Sequence, residues 1–89
     1  TLISMNNAIN NFKIIEFSIR SERSSDWDII LNLISNYFPY EISDKTDNYL
    51  RVHVLSYGNE DLKIIQTLSK QIYGKIMPFG HVRTVIIDY

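Results

Sequence analysis

The sequence predicts a single α+β domain in which strands and helices follow one another in the order β-α-β-β-α-β. The first observation is that the spacing of apolar residues switches along the chain between a period of two, typical of strands, and a period near 3.6, typical of helices. The second is length, because 89 residues have room for one hydrophobic core. We expect the domain to span residues 12–89 and residues 1–11 to be a flexible N-terminal segment, in which residues 1–4 precede Met5 and are foreign to the natural chain.

The first strand is predicted over residues 12–20, where two kinds of side chain alternate. One face carries the apolar residues Ile15, Phe17 and Ile19. The other face is mixed and carries Ile14, Glu16, Ser18 and Arg20. Strict alternation of this kind indicates a strand with one face on the core, so we expect a central position in the sheet.

The first helix is predicted to begin at Ser25, whose hydroxyl can cap free backbone N–H groups. Asp26 and Asp28 then favour the positive end of the helix dipole. An apolar stripe with helical spacing follows, formed by Trp27, Ile30, Leu31, Ile34, Tyr37 and Phe38. Pro39 is expected to end the helix, because its ring cannot continue the hydrogen-bond ladder.

A β-hairpin is predicted next, with a short strand at residues 40–43, a polar turn at residues 44–48 and a longer strand at residues 49–57. If the short strand is absent, the order becomes β-α-β-α-β, a small three-stranded unit. We favour four strands, since the alternative leaves a long connection without structure.

The second helix is predicted to be capped by Asn59, with Glu60 and Asp61 in its first turn. Its apolar stripe consists of Leu62, Ile65, Leu68 and Ile72. Gly74 is expected to end it in the left-handed conformation. A loop over residues 75–81 then leads to a last strand over residues 82–89, whose near-continuous apolar run predicts a position inside the sheet or in an interface.

This order is that of the ferredoxin-like fold, in which two helices cover one face of a four-stranded antiparallel sheet. The other face of such a sheet stays open. Because the crossovers are right-handed as a rule, the order of the elements decides which face the helices cover.

Composition and motifs exclude several function classes. The nine Lys and Arg residues are balanced by ten Asp and Glu, and the chain has no cysteine for disulfides or thiolate metal sites. His53 and His81 are far apart in sequence, and no Gly-x-Ser-x-Gly elbow is present. We therefore predict no enzyme activity, catalytic residue, metal or cofactor. Since no apolar run is long enough for a membrane span or signal peptide, we expect a cytoplasmic protein.

Function is expected on the open face and in the adjoining loops. If Ile15, Phe17, Ile19, Val52 and Val54 face the helices, the period of two predicts a mixed polar and aromatic surface on the other side. Its members are Glu16, Ser18, Arg20, Arg51, His53, Leu55 and Tyr57, and Arg and Tyr are residues enriched at binding hot spots. Apolar surface is added by Tyr37, Phe38 and Tyr40 around Pro39 and by Ile76, Met77 and Phe79 in the loop after the second helix. The predicted partner-binding residues are Glu16, Arg20, Arg51, His53, Tyr57, Tyr40 and Phe79. A merely solvated sheet face, and loop residues that only close the ends of the core, are the alternatives.

We therefore expect a small module that binds a protein partner as an inhibitor or regulator, as immunity proteins, antitoxins and phage-encoded inhibitors do. A homodimer that forms through the sheet face or an edge strand is an equally reasonable expectation for the same surfaces. RNA binding is less favoured, because residues 49–57 lack the glycine and paired aromatic residues of base-stacking strands.

The element order and the loop that leads from the first strand into the first helix resemble ACT-type regulatory domains. The resemblance covers residues 12–88 and implies binding of a small ligand such as an amino acid. In that family the loop usually carries a glycine that lets backbone N–H groups approach the ligand. Here the loop reads Ser21-Glu22-Arg23-Ser24-Ser25-Asp26 and has no glycine.

Overall fold

A computed structural model describes residues 13–87, and the predicted flexible segment at residues 1–11 lies outside the described residues. Six elements follow the predicted order. They are β1 (Lys13–Ser21), α1 (Asp26–Ser35), β2 (Tyr40–Lys45), β3 (Tyr49–Ser56), α2 (Asn59–Ile76) and β4 (Gly80–Ile87). The four-strand prediction is therefore confirmed, and the three-stranded alternative is wrong.

The strands form one sheet in the order β2-β3-β1-β4, and all three neighbouring pairs are antiparallel. The central strand β1 pairs with β3 on one side and with β4 on the other. This is the predicted ferredoxin-like arrangement, with both helices on one face of the sheet.

The core lies between the helices and the apolar face of β1 and β3. Ile15, Phe17 and Ile19 are completely buried, as predicted from their alternation. Their cross-strand partners in β3 are equally buried and are Val54, Val52 and Leu50. The helices contribute Trp27, Ile30, Leu31, Ile34, Ile65, Leu68, Ile72 and Ile76 to the same cluster. Both predicted helix stripes are thus largely confirmed.

The start of α1 is organised by Asp26 rather than by the predicted Ser25 cap. Ser25 is itself in a helical conformation and makes no side-chain capping hydrogen bond. Asp26 is buried and accepts hydrogen bonds from the Ser21 hydroxyl (2.7 Å) and from Arg23 Nε (3.2 Å). The Ser21 hydroxyl in turn accepts from the Arg23 backbone N–H at 3.1 Å. A buried carboxylate needs such partners, which explains why it binds the preceding loop.

The ends of both helices differ from the prediction. α1 ends at Ser35, before Pro39, so Tyr37 falls outside the helix and stays 46% exposed, whereas Phe38 turns back into the core. α2 begins at Asn59 with Gly58 at the cap position, and it continues past Gly74 to Ile76. Gly74 does not adopt a positive φ. The helix continues because Ile76 extends the apolar stripe and is fully buried.

β4 starts at Gly80, earlier than predicted, and lies at an edge of the sheet. The prediction of a position inside the sheet is wrong. Val85 and Ile87 are partly buried, but Ile86 is 47% exposed even though it lies on the helix side opposite Ile15. The helix layer therefore does not reach over the whole of β4. Within residues 13–87, neither helix is long and apolar enough to cross a membrane.

Candidate functional site

The helices leave one face of the sheet uncovered, and we call this face the open face. Its residues follow from the strand register, because directly paired residues point to the same side of a sheet. They are Ile14, Glu16, Ser18 and Arg20 of β1, Tyr49, Arg51, His53 and Leu55 of β3, His81, Arg83, Val85 and Ile87 of β4, and Glu41 and Asp44 of β2. The predicted division of β1 and β3 between the two faces is confirmed.

The open face changes in character along β1. One end is apolar, with Ile14 paired to both Leu55 and Ile87. Ile14 and Leu55 are buried, although they lie opposite the helix side. The prediction that places Leu55 on an accessible surface is therefore wrong. The exposed part of the open face begins with the polar residues further along β1.

A polar network occupies the middle of the open face. His53 Nε2 lies 2.9 Å from Glu16 Oε1, and Arg51 Nε lies 3.6 Å from the same oxygen. The other carboxylate oxygen of Glu16 accepts a long hydrogen bond of 3.5 Å from the Ser18 hydroxyl. Glu16 thus connects side chains of β1 and β3 and holds Arg51 and His53 in defined positions.

Tyr49 lies between two arginines at the far end of β3. Arg51 Nε donates a 3.0 Å hydrogen bond to the Tyr49 hydroxyl, and the Arg20 guanidinium lies 5.0 Å from the centroid of the Tyr49 ring. The bond with Tyr49 is the main reason why the pKa of Arg51 is raised, and Glu16 and Asp44 add to the effect. Arg51 is therefore charged at neutral pH.

The end of the open face beyond this network is basic. Arg20 pairs with Tyr49 of β3 on one side and with His81 of β4 on the other. Arg83 of β4 pairs with Ser18, which lies two residues before Arg20 in β1. Arg20, His81 and Arg83 are exposed. We call Arg20, Tyr49, His81 and Arg83 the basic corner.

A shallow pocket of about 470 Å³ adjoins the basic corner, and we call it the corner pocket. Arg20 and His81 line one side of it, and Phe79, from the turn between α2 and β4, lines the other. Glu22 and Asn48 belong to the same pocket. The pocket thus combines cationic groups with an aromatic ring that is 41% exposed.

The loops around the corner pocket are fixed by hydrogen bonds between three connections. The backbone N–H of Glu22 donates to the carbonyl of Phe79 at 3.0 Å, and that of Ser21 donates to Asn48 at 3.2 Å. Arg23 covers the Phe79 ring, 4.3 Å from its centroid, and donates from Nη2 to the carbonyl of Lys75 at 3.1 Å. These bonds tie the loop after β1 to the end of α2, so the pocket is preformed.

The same loop bears on the ACT-like interpretation, which requires backbone N–H groups that can approach a ligand. The N–H groups of Glu22 and Arg23 donate to Phe79 and to the Ser21 hydroxyl. Those of Asp26 and Trp27 donate to carbonyl groups of Arg23 and Ser24. These four N–H groups are already satisfied within the protein, so a ligand would have to displace existing bonds.

The predicted site residues fall into three places. Glu16, Arg20, Arg51 and His53 lie together on the open face, and Phe79 reaches the same region through the corner pocket. Tyr57 follows the end of β3 and is exposed beside the start of α2, where its N–H donates to Asp61. Tyr40 packs against the core on the helix side, because its register partner is the buried Val54. Tyr57 and Tyr40 therefore do not join the cluster.

Tyr49, His81 and Arg83 belong to the basic corner but are missing from the predicted site. Tyr49 has the same parity as Arg51, and the period of two applied to β4 places His81 and Arg83 on one face. Alternation was therefore sufficient to assign each of these three residues to a face of its strand. His81 was missed because the last strand was predicted to start at Val82. The sequence also gives no strand order, so it did not place β4 beside Arg20.

A second concave surface lies on the helix side, beside the edge strand β4. This groove of about 590 Å³ is lined by Ile15, Leu62, Ile65, Thr84 and Ile86 together with polar residues of α2. It is open along β4, where the helix layer ends. Within residues 13–87, no group of three or more His, Cys, Asp and Glu residues could hold a metal ion.

Comparison with known proteins gives the fold and no relatives. No family model matches the chain, and no curated protein matches its sequence. Among solved structures it is similar to a de novo designed protein with ferredoxin fold determined by NMR, with a TM-score of 0.67 and 12% identity over 90% of this chain and 88% of that one. The de novo designed protein Foldit4 is similar over 88% of this chain and 98% of its own, with a TM-score of 0.60 and 16% identity. The class is thus a small ferredoxin-like α+β domain.

Proposed function

We propose that this chain is a non-enzymatic protein-interaction module that binds a protein partner through its open face and the adjoining corner pocket. Its action is that of an inhibitor or regulator, exerted by covering a surface of the partner. The absence of cysteine from all 89 residues is compatible with action in the cytoplasm, which is part of the proposal.

One observation carries the proposal: the exposed part of the open face carries three of the four arginines of the chain, and two of them, Arg20 and Arg51, contact Tyr49. Arginine and tyrosine are the residues that most often dominate the energy of protein interfaces, because they make large contacts and versatile hydrogen bonds. Arg51 and Tyr49 are already held by a hydrogen bond, so they lose little additional freedom on binding.

The layout of the face also suits a protein surface. The open face and the adjoining loops together offer a broad area for contact. The corner pocket adds one recess for an anchoring side chain. Hot-spot anchors typically enter such recesses while the surrounding contacts exclude water.

Affinity capture from a lysate of the source organism tests the proposal. The bait proteins are the wild type, an open-face variant Arg20→Ala/Arg51→Ala, and a helix-layer variant Lys63→Ala/Lys70→Ala that also removes two positive charges. We expect one stoichiometric protein with the wild type and the helix-layer variant, and its loss with the open-face variant. A partner that is retained by the open-face variant and lost by the helix-layer variant would contradict the proposal.

Self-association through β4 is a second candidate, and the contrast between the two edge strands favours it. β2 has six residues, three of them charged, and a bulge between Ile42 and Asp44. β4 has eight residues, a regular register with β1, and Arg83 as its only Lys, Arg, Asp or Glu. Bulges and charges are the features that protect an edge strand from pairing with another chain. β4 lacks this protection, so a second copy of β4 is a natural partner for it.

A further inference from the structure

We infer that the basic corner recognises an acidic segment of the partner, with an apolar side chain on the same side of that segment as its carboxylates entering the corner pocket against Phe79. This inference rests on the proposed binding function and names the chemistry of the bound segment. It goes further than the open face as a whole, because it selects one end of that face.

The basic corner carries two positive charges that have no negative partner among residues 13–87. Arg51 lies close to Glu16 and next to Asp44, its cross-strand neighbour, so its charge is balanced. In contrast, Arg20 and Arg83 form no ion pair with any described residue, and the Arg20 guanidinium lies over the Tyr49 ring. A partner carboxylate at this end would supply the missing countercharge.

The spacing of the two free arginines fits an extended peptide. Arg20 of β1 and Arg83 of β4 are diagonal neighbours, since Arg83 pairs with Ser18, two positions before Arg20. Diagonal neighbours on a sheet face are about 7–8 Å apart, and side chains at positions i and i+2 of an extended segment are separated by about 7 Å. Two acidic residues separated by one position can therefore reach both arginines.

The corner pocket explains why an apolar side chain should accompany the carboxylate. One face of the Phe79 ring is covered by Arg23, while 41% of the residue remains exposed beside Gly80 and Asn48. Glu22 is the acidic residue among those that line the pocket. Its negative charge disfavours a ligand carboxylate inside the pocket. The carboxylate is thus directed toward Arg20 and Arg83, and an uncharged group toward Phe79.

The surroundings of the basic corner favour an acidic peptide over a nucleic acid. Tyr49 is the aromatic residue of the open face, and Arg20 and Arg51 lie over its ring at 5.0 and 5.4 Å, so it is not free to stack on a base. A phosphate backbone that continued across the face would meet Glu16, Glu41 and Asp44. A short acidic segment avoids this repulsion because it ends at the corner.

Fluorescence anisotropy with three labelled probes tests the inference. The first is a dodecapeptide with two copies of Glu-Ser-Glu-Ser-Phe-Ser, which places Glu and Phe on the same side of an extended segment. The second is the same peptide with Gln in place of Glu, and the third is a uridine dodecanucleotide. We expect binding of the acidic peptide and binding of the Gln peptide that is weaker by roughly tenfold or more, because two charge-assisted contacts are lost. Tighter binding of the oligonucleotide than of the acidic peptide overturns the inference in favour of a nucleic-acid site.

Three charge variants then locate the site. Arg20→Gln and Arg83→Gln should each weaken binding of the acidic peptide about fivefold, as expected for one exposed charge contact, while Lys63→Gln on α2 should leave it unchanged. Glu22→Gln should strengthen binding about twofold, because it removes a repulsive charge from the pocket. Equal losses with Lys63→Gln and Arg83→Gln indicate attraction without a site and overturn the inference.

The two levels of the proposal fail in different ways. If the acidic and Gln peptides bind equally well and Phe79→Ala abolishes both, the preference for acidic segments is wrong and the open face remains a protein-binding site. If neither peptide binds but affinity capture yields a partner that the open-face variant loses, only the recognition of an acidic segment is refuted. The proposed binding function then stands. If capture also yields no partner that depends on Arg20 and Arg51, the proposed function fails with it.

Discussion

Gly80 opens β4 at a point where the chain passes too close to β1 for any side chain. A Cβ at this position would overlap the carbonyl group of Arg20 and the Cα of Ser21, which are backbone atoms that cannot rotate away. We expect Gly80→Ala to lower the free energy of unfolding by about 1–3 kcal/mol, the usual cost of overpacking. Chemical denaturation followed by circular dichroism measures this change.

Gly74 provides the matched control, since it lies inside α2 and a Cβ added there meets nothing within 4 Å. Gly74→Ala should therefore raise the free energy of unfolding by about 0.5–1 kcal/mol, because alanine has less freedom to lose on folding than glycine. A loss of stability with Gly74→Ala, or none with Gly80→Ala, would contradict the backbone geometry described for these two positions.

Asp26 and Asp28 share the first turn of α1 but differ in their surroundings. Asp26 is buried and binds Ser21 and Arg23, whereas Asp28 is exposed. Asp26→Ala should cost about 2 kcal/mol, because it leaves the buried Ser21 hydroxyl without its partner, and Asp28→Ala should cost only about 0.5 kcal/mol through the helix dipole. Thermal denaturation of the two variants compares them directly, and equal losses would show that Asp26 acts through the dipole alone.

At the residue scale, alternation within β1 and β3 was enough to place Glu16, Arg20, Arg51 and His53 on one face. The same alternation could not show that Leu55 is buried or that Tyr40 packs on the core, since alternation assigns a face and not the contacts made there. The role of Asp26 was also hidden, because its partners Ser21 and Arg23 come from a loop whose path the sequence does not specify.

The two edge strands differ clearly in the features that protect a strand from pairing with another chain. Ile86 of β4 and Ile42 of β2 both lie on the helix side and are exposed by 47% and 43%, yet Ile86 borders the groove beside α2. If β4 pairs with a second copy, Ile86→Lys should abolish the dimer and Ile42→Lys should not, because a lysine on an edge strand blocks pairing. Analytical ultracentrifugation separates the cases, and a dimer that survives Ile86→Lys would exclude pairing through β4.

At the element scale, the number, order and type of the elements could be predicted from periodicity, and the ends of α2 and the position of β4 could not. The run Val85-Ile86-Ile87 is typical of a strand covered on both faces, but in the sheet it lies at an edge with Ile86 half exposed. Gly74 is a typical end for a helix, yet the burial of Ile76 stabilises two further residues of α2. In both cases tertiary packing outweighs the local signal.

The whole molecule has two unlike sides. The helix side closes the hydrophobic core, and the open face runs from an apolar end at Ile14 through the Glu16 network to the basic corner. The similar solved structures are designed ferredoxin-fold proteins, and this similarity concerns the fold alone.

We propose that the open face contacts the partner. The most direct test of this proposal is a ¹H–¹⁵N correlation spectrum of the labelled chain, recorded with and without the partner recovered by affinity capture. We predict that the largest changes fall on the amides of β1, β3 and β4 around Arg20, Tyr49, His81 and Arg83, while the exposed surfaces of α1 and α2 change little. Changes confined to the two helices, with the spectrum of the open face unaltered, would contradict the account.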